Sequence, residues 1–96
     1  MSYRLWRNLH DLLDKFINPT IGIDTELELK AFIRNNIYDL SEDGILVWIK
    51  EYMILYEKHR KQINKPCFSS EDLFSNIRLY YDIYVAGNNS FDVNYK

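Results

Sequence analysis

Apolar residues recur at helical spacing in four successive segments, and this pattern constrains the fold more than any other feature of the sequence. In the first segment, residues 3–17, they lie three or four positions apart, as on one face of a helix. The set is Leu5, Trp6, Leu9, Leu12, Leu13, Phe16 and Ile17. Ser2 can cap the start of this helix. Pro19 disfavours helical geometry at Asn18, so the helix should end there.

The second segment, residues 26–38, begins with the spacing of a capping box. Thr25 and Glu28 are three positions apart, so the side chain of each can accept a hydrogen bond from the backbone N–H of the other. The buried side of this helix would hold Leu29, Phe32, Ile33 and Ile37. The connector before it, residues 20–24, has Gly22 at its centre. We therefore predict a helix that begins directly after the connector.

The third segment, residues 42–64, is apolar on most sides. Its main stripe holds Ile45, Trp48, Ile49, Tyr52, Leu55, Tyr56 and Ile63, and Leu46, Val47, Met53 and Ile54 widen it. Ser41 is the predicted N-cap, and Pro66 follows the basic end of the helix. Because such a helix is usually central, we expect a buried rod that shields Trp48 and Ile49 from water. Truncating Trp48 to Ala should then cost about 3 to 5 kcal/mol.

The fourth segment, residues 70–86, follows a serine cap at Ser69 or Ser70. Its apolar set is Leu73, Phe74, Ile77, Tyr80, Tyr81 and Tyr84. Gly87-Asn88 is a typical stop, and the tail at 88–96 alternates apolar and polar residues as a short docked strand would. Short connections favour antiparallel neighbours. We therefore predict an all-α domain, a compact four-helix bundle with a short C-terminal tail that can dock on it.

Composition places the chain among small globular proteins. Its 96 residues, 47% of them hydrophobic, suffice for one core and one domain, residues 1–96. Eight Tyr, five Phe and two Trp exceed what a small core usually holds, so some of these rings should lie at a surface. The net charge of −2 argues against a general nucleic-acid binder and is compatible with a basic protein partner.

The sequence also favours a cytoplasmic location. Cys67 is the only cysteine, so no internal disulfide can form, which fits a reducing compartment. The apolar runs Ile45–Ile49 and Tyr52–Tyr56 are far shorter than the about 20 residues of a membrane helix. Charged residues interrupt the apolar positions of residues 1–16, unlike a secretory signal. We expect no membrane association.

No group of residues forms a recognisable catalytic or metal-binding pattern. His10 and His59, the only histidines, lie in ordinary helical settings. Cys67, between Pro66 and Phe68, is typical of a small buried residue at a helix junction. Most paired carboxylates lie in first turns, where capping and the helix dipole explain them. We therefore expect neither an enzyme nor a cofactor.

Two kinds of side chain are candidates for partner binding. The acidic candidates are Asp39, Glu42, Asp43, Glu71 and Asp72, and the aromatic ones are Tyr80, Tyr81 and Tyr84. If an antiparallel arrangement brings the acidic helix starts to one side, they form a negative patch that steers a basic partner. Ordinary helix capping with no partner is an equally good interpretation of the carboxylates. The tyrosines can likewise belong to the edge of the core.

Two segments resemble parts of a known family. They are LHDLLDKFIN (Leu9–Asn18) and FSSEDLFSNIRLYYDIY (Phe68–Tyr84), the second with an aromatic residue, a serine-rich cap, two acids and an amphipathic helix. In these the chain resembles small bacterial immunity proteins of the colicin D and contact-dependent-inhibition kind. The resemblance implies an inhibitor that covers the active site of a toxin, often a basic nuclease.

Two other functions remain open from the sequence. A phage-encoded inhibitor of host defence would share every feature above. A helix-based nucleic-acid binder would use Lys58, Arg60, Lys61 and Lys65, although a solvated helix end complementing its dipole explains these residues more simply.

Overall fold

A computed structural model of the protein describes residues 3–17 and 25–87, and within these ranges every regular element is a helix. The helices are α1 (Tyr3–Phe16), α2 (Thr25–Asn35), α3 (Ile37–Leu40), α4 (Ile45–Gln62) and α5 (Ser70–Ala86). The predicted all-α class is confirmed. Several predictions concern positions outside the described residues. They are the cap at Ser2, the stop at Asn18-Pro19, the connector at 20–24, the side chain of Thr25 and the tail at 88–96.

Cross-helix contacts define the direction of each helix. Lys15 Nζ lies 3.1 Å from Glu28 Oε2, and Asn8 bonds to Asn36, so α1 and α2 run antiparallel. The start of α5 lies beside Glu57 in the second half of α4, and its later turns reach the start of α4, so this pair is also antiparallel. These two antiparallel pairs form the two halves of the fold.

The contacts between the two halves differ from the predicted bundle. The ring of Trp6 contacts that of Tyr52, and Asp14 accepts a hydrogen bond from Tyr56. Because the residue numbers rise together along both helices, α1 and α4 run in the same direction. On the other side α2 packs against α5. The predicted four-helix bundle with antiparallel neighbours is therefore not confirmed. Residues 3–17 and 25–87 form five helices, and α1 and α4, which contact each other, run in the same direction.

One core lies between the helices. Its side chains are at most 6% exposed and come from every helix: Leu5, Leu9, Leu12, Leu13, Leu29, Phe32, Ile33, Leu40, Ile45, Ile49, Met53, Leu73 and Ile77. The stripe predicted for α1 supplies four of them, and α5 has the predicted bounds of residues 70–86. Periodicity alone therefore located most of the core.

Asn36 ends α2 earlier than predicted. The expected helix continued to residue 38, but α2 ends at Asn35 and α3 begins at Ile37. Asn36 is buried, and its side-chain amide donates to the carbonyl of Phe32 at 2.8 Å while its Oδ1 accepts from Asn8. A side chain that bonds to nearby backbone competes with regular helix geometry. The break redirects the chain into the short α3.

The start predicted for α4 is also wrong. Ser41 does not cap this helix, since its hydroxyl donates back to the carbonyl of Ile37 and the residue closes α3. The N-cap position is Gly44, whose φ of 84° lies in the left-handed region that glycine adopts without strain. Helical geometry therefore begins at Ile45 and not at residue 42.

Asn64 sets the end of α4. Its φ is 56°, and its N–H bonds to the carbonyl of Lys61 while the N–H of Lys65 bonds to that of Arg60. This pair of bonds is a Schellman motif, which satisfies the last carbonyls of a helix. The helix stops at Gln62, two residues before the predicted end.

The start of α5 is held by two groups. Of the two serines predicted as the cap, Ser69 is the N-cap, and its Oγ accepts from the N–H of Asp72. Glu57 on α4 accepts from the N–H of Ser70 at 2.9 Å and pairs with Lys61 at 2.8 Å. Hydrogen bonds from Lys61 and Ser70 lower the pKa of Glu57 from 4.5 to about 2. The ionised carboxylate thus ties α5 to α4.

The prediction that Trp48 is shielded is wrong. Its side chain is 61% exposed, whereas Ile49 is fully buried. Successive helical residues point about 100° apart, so two neighbours can lie on opposite sides of a boundary between core and solvent. In α4 the buried stripe is Ile45, Ile49 and Met53. The helix is covered on one side and is not a central rod.

The neighbouring positions 48 and 49 should respond oppositely to truncation. Ile49→Ala removes a fully buried side chain and should cost about 2 to 5 kcal/mol of unfolding free energy. Trp48→Ala removes a mostly exposed ring and should cost less than about 1 kcal/mol. Urea unfolding followed by circular dichroism measures both. Equal losses at the two positions would show that this side of α4 is covered.

Acid should weaken the tie between α4 and α5. The pKa of Glu57 is lowered in the folded state, so its contribution is complete above the unfolded value of 4.5 and is lost as the pH falls towards about 2. Glu57→Gln should therefore cost about 1 to 3 kcal/mol at pH 7 and progressively less below pH 4.5. Urea unfolding at several pH values gives the curve. The exposed Glu51→Gln is the matched control, and a pH-independent cost for Glu57→Gln would contradict the assignment.

Candidate functional site

Large apolar side chains are exposed on the outer side of α4. Trp48 and Leu55 are 61% and 62% exposed, and Val47 and Ile54 also face solvent. In the described ranges, α1 and α5 cover the other side of this helix. Contiguous apolar surface of this kind often marks an interaction site, whereas single exposed apolar residues need no explanation.

Part of this surface forms a groove between α1 and α4. It is lined by Trp6, Trp48, Glu51, Tyr52 and Leu55, and we call these residues the aromatic groove. Its volume is about 350 Å³. Four of its residues come from α4 at positions 48, 51, 52 and 55, which share one helical face. The helix thus presents two rings, one carboxylate and one leucine in a single row.

Trp6 forms the wall of the groove on α1. It follows the fully buried Leu5, so its ring emerges at the edge of the core and is half-buried. The centroids of Trp6 and Tyr52 are 5.7 Å apart with their planes inclined at 57°. The two rings therefore make a corner, a geometry within the favoured range for aromatic pairs.

A polar cluster continues from the groove along the same two helices. His10 Nδ1 lies 3.1 Å from the hydroxyl of Tyr52, and His10 Nε2 lies 3.5 Å from Asp14 Oδ2. The hydroxyl of Tyr56 donates to Asp14 Oδ1 at 2.8 Å. We call His10, Asp14, Tyr52 and Tyr56 the polar seam. Tyr52 belongs to both features, so the seam holds one wall of the groove in place.

The tyrosines of the seam resist ionisation. Burial first, and then the hydrogen bond to Asp14 and its charge, raise the pKa of Tyr56 from 10.0 to about 12. Burial and the charge of Asp14 also raise the pKa of Tyr52. Both phenols are therefore neutral near pH 7, and that of Tyr56 donates its hydrogen bond to Asp14. They are poor nucleophiles in this state.

Cys67 lies beyond the far end of the seam. Tyr56 stacks on the neighbouring Phe68 with centroids 5.6 Å apart. The Cys67 side chain is half-buried, and burial raises the pKa of its thiol. A raised thiol pKa disfavours the reactive thiolate. Cys67 is only partly buried, whereas the sequence predicted a buried residue.

The acidic residues predicted to bind a partner are divided between two ends of the fold. Glu42 and Asp43 are exposed at the corner before α4, whereas Glu71 and Asp72 are exposed in the first turn of α5, beside Glu57. From Ile45 to Glu57 a helix rises about 18 Å. The structure therefore does not bring these four carboxylates into one patch.

The remaining predicted site residues lie against the core or beside it. Asp39 is half-buried in α3. Tyr80, Tyr81 and Tyr84 are half-buried against the core, with Lys30 Nζ 5.9 Å from the ring of Tyr80. The hydroxyl of Tyr81 lies 3.4 Å from Ser41 Oγ. These tyrosines sit at the edge of the core, and their partner-binding role stays a prediction.

Two of the four basic residues considered for nucleic-acid binding have structural contacts. Arg60 Nε donates to the carbonyl of Pro66, and Lys61 pairs with Glu57. Lys58 and Lys65 are exposed. Arg60 and Lys61 therefore have partners at the end of α4, although the side chain of Lys61 is still 70% exposed.

The groove residues were not among the predicted site residues. The sequence signal was present, because α4 has apolar residues on more sides than one neighbour can cover. On the sequence alone, such an excess indicates a buried helix. Trp48 is instead exposed, and it lines the same groove as the half-buried Trp6 and Tyr52.

Comparison with protein-family models, with curated protein sequences and with solved structures finds no match. Within residues 3–17 and 25–87, no three His, Cys, Asp or Glu side chains converge as metal ligands. In the same part of the chain, none of the helices has both the length and the apolar character needed to cross a lipid bilayer.

The bond between Tyr56 and Asp14 predicts an alkaline effect. Tyr56→Phe should cost about 1 kcal/mol of unfolding free energy at pH 8. Because the folded pKa is raised to about 12, this contribution is complete below pH 10 and is lost as the pH rises from 10 towards 12. Urea unfolding at pH 8 and above pH 10 tests this. Tyr38→Phe, on a 93% exposed ring, is the control, and a cost that grows with pH would contradict the bond.

Proposed function

We propose that this protein acts by binding another protein, which covers the aromatic groove. The observation that carries the proposal is the exposure of Trp48 and Leu55 beside Trp6 and Tyr52. Binding hot spots are enriched in Trp and Tyr and lie in sites that lose their water on association. The groove offers such residues on rigid helices.

The energy available at Trp48 supports this function. A buried Trp side chain covers roughly 250 Å², and Trp48 is 61% exposed. A partner that covers the ring would therefore bury about 150 Å² more, worth about 4 kcal/mol at roughly 25 cal/mol per Å². Residues that cost 2 kcal/mol or more on truncation dominate most interfaces. One ring of this size can therefore serve as an anchor.

The polar seam supports the proposal in a second way. Tyr52 is held by His10, and His10 by Asp14, at 3.1 and 3.5 Å. A side chain that is fixed before binding loses less conformational entropy when the complex forms. His10 and Asp14 are themselves exposed and give the groove a polar rim. An apolar centre with a polar rim is the usual anatomy of an interface.

The finer part of the proposal concerns the partner. The resemblance to bacterial immunity proteins at Leu9–Asn18 and Phe68–Tyr84 makes a toxin domain the partner to test first. In this proposal the protein has no catalytic role, works in the cytoplasm and neutralises the toxin by covering its active site. The net charge of −2 suits a basic toxin domain such as a nuclease.

Trp48→Ala should weaken partner binding without affecting the fold. The partner is first captured on immobilised wild-type protein from the native host and identified by mass spectrometry, and its affinity is then measured by calorimetry. Loss of an anchor worth at least 2 kcal/mol should raise the Kd about 30-fold or more. Tyr38→Ala, which truncates a 93% exposed ring on α3, is the matched control and should change the Kd less than about two-fold.

A partner that binds the Trp48→Ala variant as tightly as wild type would place the interface elsewhere. The toxin proposal has its own test, which is co-expression with a toxin encoded beside this protein. Wild-type protein should restore growth and Trp48→Ala should not. Failure of wild type to protect would leave a different protein as the partner.

A further inference from the structure

We infer that the aromatic groove receives an arginine side chain of the protein partner. The inference rests on the proposed function and adds the chemistry of the group that enters the groove. It follows from three aromatic rings and one carboxylate lining the same space, namely Trp6, Trp48, Tyr52 and Glu51. Aromatic faces carry partial negative charge, and a carboxylate carries a full one, so this combination favours a cation.

The arrangement of the rings suits a planar cation. Trp6 and Tyr52 form a corner with centroids 5.7 Å apart and planes at 57°. Trp48 precedes Tyr52 by one helical turn on the same face and adds a third ring. A guanidinium inserted here would meet more than one ring within the about 6 Å over which cation–π attraction acts. Leu55 would contact the aliphatic stem of the arginine.

The charge of Glu51 is not balanced by basic residues of the groove. Glu51 is exposed, and it forms no ion pair with any residue in ranges 3–17 and 25–87. No groove-lining residue is basic. Lys50 lies on the α5 side with its Nζ 5.8 Å from the Phe74 ring, and Lys58 lines a separate cavity with Ile54. A cation from outside therefore meets an unneutralised carboxylate.

The same carboxylate disfavours a purely apolar anchor. A leucine or phenylalanine of the partner would remove water from Glu51 without giving it a hydrogen-bond donor, and an unpaired charge is costly to desolvate. Arginine offers five donors and a weakly hydrated plane that stacks on rings, whereas lysine is a compact, strongly hydrated point charge. The groove thus selects arginine over both alternatives.

The test uses small probes, so that it does not depend on knowing the partner. N-acetyl-arginine amide, N-acetyl-citrulline amide and N-acetyl-norleucine amide are titrated at low salt into the full chain, and the indole N–H signals of Trp6 and Trp48 are followed by NMR. Citrulline keeps the planar shape of arginine but is neutral, and norleucine is apolar. Arginine amide should bind about five-fold more tightly than either neutral probe.

Two variants separate the charge from the rings. Glu51→Gln should lower the affinity for arginine amide to within about two-fold of citrulline amide. Trp48→Ala should weaken binding of arginine amide by about five-fold. Glu26→Gln removes an exposed carboxylate on α2, outside the groove, and should leave binding unchanged. Circular dichroism of each variant verifies the fold.

Several results would overturn the inference. These are equal affinity for the three probes, no shift of the Trp48 indole up to the solubility limit of arginine amide, or unchanged arginine preference in Glu51→Gln. If partner binding still requires Trp48 in that case, the proposed function stands and only the arginine is wrong. If partner binding does not require Trp48, the proposed function itself fails.

Discussion

Burial of one narrow stripe of α4 is the constraint on which the rest of the structure depends. Ile45, Ile49 and Met53 are buried in the core, and α1 and α5 contact the helix on either side of this stripe. Two flanking helices can cover only part of a cylinder whose apolar residues extend nearly all the way round. The remaining apolar face, with Trp48 and Leu55, is therefore left at the surface. The groove follows from the same packing that stabilises the fold.

Periodicity predicts those parts of this fold in which one helical face is apolar and the other is polar. Both α1 and α5 were located to within a residue, because each has one such face and α5 also has a serine cap. The errors occurred where a single residue determines the backbone. Asn36 bonds back to Phe32 and ends α2, and Gly44 adopts a positive φ and delays α4. A repeat pattern contains no information on such local competition.

The candidate site was harder to predict than the fold, for a physical reason. Carboxylates at helix starts stood out in the sequence, but a first turn attracts acidic residues through its own dipole, so their presence says little about a partner. For the groove residues, the sequence does not distinguish a buried position from an exposed one. A Trp or Leu at helical spacing fits core and interface equally well, and only the placement of α1 beside Tyr52 shows on which side of the boundary Trp48 lies.

Tyr52 connects stability with binding in this protein. Its ring forms a wall of the groove, and its hydroxyl lies against His10, which in turn faces Asp14. Burial and the charge of Asp14 raise the pKa of Tyr52, so the phenol stays neutral and its hydroxyl can hydrogen-bond to the imidazole. The ring is thus oriented by contacts within the chain before any partner arrives. Trp48, in contrast, contributes little to the core. On α4, Tyr52 therefore orders the groove, whereas Trp48 is available to a partner.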